Sequence, residues 1–193
     1  MALWSVGPGP ESTLVEAWRL SRVFWAQTLT AFAQHPSIVL LYAAPPATAR
    51  AWLLLRTKAV PAWWLPSLEA LIALWRLLMC VVAVWVVLTP AQMAALQHTF
   101  TSNALIQSML DTLGENFGNH LWLLVWEITI YLVVFFLLSW LLYGMARLWV
   151  RGLDMDAERK LHQRQAVAAV TRNLLLVPLA MIYAVIVIRQ FLG

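Results

Sequence analysis

The sequence predicts an all-α integral membrane protein: three transmembrane helices, interfacial amphipathic helices, and a proline-broken re-entrant or surface hairpin. Three observations predict it. Of the 193 residues, 62% are hydrophobic and 11% charged, against about 45–50% apolar and about 25% charged in an ordinary soluble domain. Twelve tryptophans suit the boundary between headgroups and acyl chains. Residues 120–143 are long enough to cross a bilayer and carry one charge, Glu127. Before them Lys and Arg are absent back to Arg76, and after them six follow ahead of the next apolar run.

Residues 12–34 read as an amphipathic helix. Leu14, Trp18, Trp25, Leu29 and Phe32 fall on one stripe, with Glu16, Arg19, Gln27, Thr30 and Gln34 opposite. Ser12 or Thr13 can cap its start, with Glu16 returning a capping-box bond. One apolar side and one wet side suit a membrane surface; packing on protein is the alternative. His35-Pro36 should end the helix, because proline lacks a donor and biases the residue before it out of the helical region.

Residues 37–57 carry Pro45-Pro46 in their middle and Arg50 beyond it. An unbroken span would bury a charge and a broken hydrogen-bond ladder, and irregular backbone at membrane depth survives only inside protein or facing water. Two short helices in a shallow hairpin are therefore expected, with a true span as the alternative. The two prolines around Trp63-Trp64 then read as an interfacial turn.

The first expected span is 68–88, with Arg76 near its middle. Thr89-Pro90 supplies a cap residue and a proline suited to a helix's first turn. In the surface helix expected over 102–117, Ile106, Met109, Leu110, Leu113 and Phe117 share one face and Ser108, Asp111, Thr112 and Glu115 the other, with Gly114 or Gly118 to close it. The second span is 121–143. Asp154 or Asp156 can cap a cytoplasmic helix over 154–172, where Glu158–His162 is a favourable i,i+4 pair and Lys160–Arg164 a repulsive one. The third span is 174–192, kinked at Pro178.

Lys and Arg number five before the first span, none between the first and second, six between the second and third, and one after. The positive-inside rule then expects the N-terminus and residues 144–173 in the cytoplasm, and residues 89–119 and the C-terminus outside. Making 37–57 a span would export Arg56 and Lys58 or expel the six-charge loop. The first ten residues lack a positive n-region and an apolar h-region, so no cleaved signal peptide is expected. A surface helix that ends at a His-Pro step ahead of apolar spans resembles several multi-span bacterial proteins over about thirty residues. The resemblance implies no particular activity, and a bacterial inner membrane is the expected location.

Three charges fall inside the expected spans. Glu127 and Arg189 lie about five and about six residues outward of their spans' middles, at similar depth given a rise of ~1.5 Å per residue. They are expected to form an intramembrane ion pair. Arg76 lies roughly 10 Å away in depth by the same rise. Its outlets are Glu69, a partner subunit, or snorkelling to the inner surface, where it would be a lipid-facing charge. Arg147, Arg151 and Lys160 are placed to meet anionic headgroups.

Signals of chemistry are weak. His35, His98, His120 and His162 lie away from span centres, so a haem or pigment lacks its usual ligand, and no cofactor is expected. Asp111, Glu115, His98 and His120 match no metal spacing, and no metal is expected. Cys80 stands alone, which excludes an intrachain disulfide. No nucleophile motif is present, so no catalytic residue is assigned. The net charge of +4 flanks apolar spans and does not form a nucleic-acid face. The expectation is a non-catalytic accessory or assembly subunit, with lipids and other integral membrane subunits as partners. The alternative is a transporter or channel subunit in which Glu127 and Arg76 line a proton or ion path.

Overall fold

The computed structural model describes residues 10–56 and 61–192. Lys58 and residues 1–9 lie outside them, as do the side chains of Ser12, Leu113 and Phe117. The helices are α1 (Pro10–Gln34), α2 (Pro36–Leu55), α3 (Leu65–Val87), α4 (Pro90–Phe100), α5 (Asn103–Asn119), α6 (Leu121–Arg151), α7 (Ala157–Thr171) and α8 (Val177–Leu192). A 3-10 turn, Ala62–Trp64, leads into α3, and a π-helical turn, Arg172–Leu176, joins α7 to α8. No strand occurs among the described residues. Four helices are long and apolar enough to cross a membrane: Pro36–Leu55, Leu65–Val87, Leu121–Arg151 and the continuous Ala157–Gln190.

The count is four where three spans were expected, and the addition is the stretch expected to be a hairpin. Pro36 does break the chain, with His35 outside helical geometry at φ −130 and ψ 43. Pro45 and Pro46, by contrast, sit inside α2. A proline leaves the carbonyl four residues back without its amide donor. For Pro46 that carbonyl is Tyr42, and the Trp75 indole N–H donates to it at 2.7 Å. One face of α2 is small and buried, comprising Val39, Ala43, Pro46, Ala47 and Leu53. It packs along α7 and the π-turn, where Ala166, Ala169, Asn173 and Leu176 are buried. Small residues four apart let backbones approach closely. Ala43 and Ala47 form that pair here, whereas Ala184, in the comparable Ala180–Ala184 spacing, is exposed. Arg50 is not a stranded charge, because it pairs with Glu69 of α3.

The expected cytoplasmic helix and third span are one helix joined through the π-turn. Val177 N–H reaches back to Arg172 O, five residues away. The extra residue in that turn accommodates buried Pro178, and π-bulges of this kind are a recognised way to absorb a break in the ladder. Asp156 stands at the N-cap of α7 without a side-chain cap bond, and Glu158 faces His162 at 3.9 Å.

Two compact units divide the chain: Met1–Gln34, Val84–Val134 and Ile182–Gly193 form one, and His35–Ala83 with Phe135–Met181 the other. In the first, α1 buries Ala17, Leu20, Ser21, Phe24 and Thr28. Leu14, Trp18 and Leu29 of the apolar stripe are exposed, so that stripe is not the one packed on protein. The helix starts at Pro10, so Ser12 and Thr13 lie within it and do not cap it. Also in this unit, α4 begins on a reciprocal capping box between Thr89 and Gln92, with Pro90 in its first turn. Ser108, Asp111, Thr112 and Glu115 of α5 are exposed, and Ile106 and Met109 are half-buried.

Candidate functional site

The polar centre of the first unit is built from three helices. α1 is 25 residues long and carries Ser21 on its buried side, flanked one turn on by Phe24 and Trp25. α6 presents Glu127 from an otherwise bulky apolar stretch, and α8 presents Tyr183. All three polar side chains are buried: Ser21 and Glu127 are 1% exposed and Tyr183 is 4% exposed. The Tyr183 hydroxyl donates to Glu127 Oε2 at 2.7 Å, and Ser21 Oγ lies 3.1 Å from the same hydroxyl. Tyr183 has one proton to give, so with that proton on Glu127 the serine is the donor of the second bond. Glu127 Oε1 has no hydrogen-bond partner among the described residues, and neither has Trp25 Nε1.

Aromatic rings fix Tyr183 in place. Its centroid is 4.9 Å from Trp25, 5.2 Å from Tyr131 in a stacked arrangement, and 6.2 Å from Phe24 edge-on. These separations are those of rings in contact. The rings fill the space around the phenol with one another, which leaves the polar tip of Tyr183 to reach Glu127.

The expected Glu127–Arg189 pair is not formed. Arg189 Nη1 donates instead to Val87 O at 3.4 Å. Equal depth was the ground for the pairing, but helical phase decides it. Arg189 lies six residues beyond Tyr183, about 240° round the helix at 3.6 residues per turn. When Tyr183 faces Glu127, Arg189 cannot. The sequence marks Tyr183 only as one polar residue within that apolar run, and nothing in the spacing pairs it with Glu127.

Arg76 belongs to the second unit. Its Nη2 donates to Asn173 Oδ1 at 3.2 Å, while Asn173 Nδ2 donates to Ala169 O at 2.6 Å. Asn173 is 2% exposed and sits in the π-turn. Arg76 Nε is buried with no partner among the described residues. Glu69, the outlet expected on its own helix, is taken by Arg50. Arg147 and Arg151 are exposed and Lys160 is half-buried. Arg164 is drawn to Tyr143, with its guanidinium 5.8 Å from the ring centroid.

Among the described residues no three His, Cys, Asp or Glu side chains converge as a metal site would require. Comparison with protein-family models, with curated proteins and with solved structures finds no match.

Proposed function

We propose that this chain is a helical membrane protein of a bacterial inner membrane that serves as a non-catalytic accessory subunit of a larger membrane complex. The observation that carries the reading is the bare face of α6. Only 11% of its most apolar stretch is buried, and Trp122, Phe136, Trp140 and Trp149 are all strongly exposed. Lipid would satisfy Phe136, and Trp122 and Trp149 stand at helix ends where indoles meet headgroups. Trp140 is 76% exposed and lies three residues inside the expected end of the span at Tyr143, ~4.5 Å along the axis, where its indole N–H can meet headgroups or a partner's acceptor.

The polar side chains inside the spans support an assembly role over a conduit. Arg76 and Glu127 are each bonded to a neighbour in their own unit, an arrangement suited to holding helices together. Arg147, Arg151 and Lys160 supply the positive charge for anionic headgroups.

Four crossings also revise the orientation. With residues up to Gln34 outside, Arg56 and Lys58 join the basic 144–173 segment in the cytoplasm. The inner side then holds eight Lys and Arg, and the outer side holds Arg19, Arg22 and Arg189. The positive-inside rule is met with α2 as a span, and the N-terminus shares the exterior with residues 88–120 and the C-terminus.

The test is mild-detergent extraction followed by native mass measurement. Species heavier than the 21.9 kDa chain are expected, and Trp140→Leu should release the additional subunits while leaving the helical content unchanged. A folded lone monomer in the wild type would overturn the reading.

A further inference from the structure

We propose that Glu127 is a proton-exchanging site, with Tyr183 and Ser21 as the hydroxyls that accommodate both of its states. The proposal does not depend on the assembly reading and goes beyond it.

Three observations carry it. First, Glu127 is 1% exposed on a helix long and apolar enough to cross a membrane, and ionisable residues so placed are costly to keep without a use. Second, its neighbours are amphoteric. A lysine or arginine beside a carboxylate would favour the ionised form permanently, but the groups presented to Glu127 are of another kind. From α8 comes Tyr183, and from α1 Ser21 with the Trp25 and Phe24 rings. Its own helix adds Tyr131, stacked on Tyr183. The cation nearest in sequence to Tyr183 is Arg189, which is spent on the Val87 carbonyl of α3. On α1 the charged residues nearest Ser21 are Arg22 and Arg19, both exposed, and Glu16, five positions away. Third, Glu127 Oε1 is buried and without a hydrogen-bond partner among the described residues, so the carboxyl has one oxygen in the chain and one to spare.

Such a chain is satisfied in either direction. With Glu127 ionised, Ser21 donates to Tyr183 and Tyr183 donates to Glu127. When Glu127 takes a proton from a hydronium ion, its new O–H donates to Tyr183, and Tyr183 turns its own O–H to Ser21. The serine hydroxyl then swings to the helix carbonyl one turn back, that of Ala17, the acceptor helical serines ordinarily use. One O–H bond forms on Glu127, one breaks in a hydronium ion that is left as water, and the two hydroxyls only rotate. Hydroxyl orientation is what changes, so neither state needs the helices to move.

Infrared difference spectra of the full chain, reconstituted in phosphatidylcholine vesicles and titrated with pH, test this. A carboxylic-acid C=O band should rise reversibly as pH falls. It should be lost in Glu127→Gln and shifted in frequency in Tyr183→Phe, which keeps the ring and its stacking. A band that ignores pH, or that survives Glu127→Gln, overturns the proposal. If the glutamine variant does not fold, a titrating band left unmoved by Tyr183→Phe overturns it equally.

Discussion

Removing the Tyr183 hydroxyl takes the 2.7 Å donor from Glu127 and the partner from Ser21 at once. A buried polar group left unsatisfied costs about 1–3 kcal/mol, so Tyr183→Phe should lower stability in detergent by that amount. Ser21→Ala removes only the outer bond. Hydrogen bonds between helices in membrane proteins average about 0.6 kcal/mol, and the smaller loss is expected there. Unfolding of both variants, followed by circular dichroism in the same detergent, checks the order; a Ser21→Ala loss as large as that of Tyr183→Phe would contradict it. At this scale Glu127 and Arg76 stood out in the sequence because a charge in an apolar run is conspicuous. Tyr183 and Asn173 did not, because a single hydroxyl or amide in such a run is common and acquires meaning only from what faces it.

The element whose character most depended on its surroundings is α2. Pro46 removes the donor for Tyr42 O, and Trp75 supplies a replacement from α3. The two residues should therefore be energetically coupled. Trp75→Phe is expected to cost about 1 kcal/mol in the wild type. It should cost less in a Pro46→Ala background, where the helix backbone regains an N–H that can bond Tyr42 O directly. A double-mutant cycle measures the difference, and strict additivity would refute the account. Arg50–Glu69 is a second tie between the same helices, but its side chains are 34% and 51% exposed, so a contribution of about 0–1 kcal/mol is its scale. The π-turn follows the same logic, since a local defect is retained where a neighbouring helix gives it a role. It presents Asn173 to Arg76 and sits just ahead of Pro178.

For the whole molecule, orientation is the question with the clearest test. In a Cys80→Ser background, single cysteines at Arg19→Cys, Glu115→Cys and Arg159→Cys can be probed with a membrane-impermeant maleimide on intact cells. The first two should label and the third should not until the membrane is opened. Protection of Arg19→Cys together with labelling of Glu115→Cys would restore three crossings and a cytoplasmic N-terminus. The charge count was legible from the start. What it could not decide was how many times the chain crosses before Arg56, because that depends on whether a proline pair can live inside a helix.

The sequence by itself determined the apolar composition, the helical class, the long apolar helices α3 and α6, the Thr89 cap and the break at Pro36. Each follows from composition, periodicity or backbone chemistry within a few residues. Only the tertiary structure decided that residues 36–55 form one helix, that α1 buries its small and polar stripe, and that Glu127 meets Tyr183 in place of Arg189. Those outcomes turn on helical phase and on donors arriving from distant segments, and a one-dimensional pattern carries depth along a helix but not the direction in which a side chain meets its neighbour.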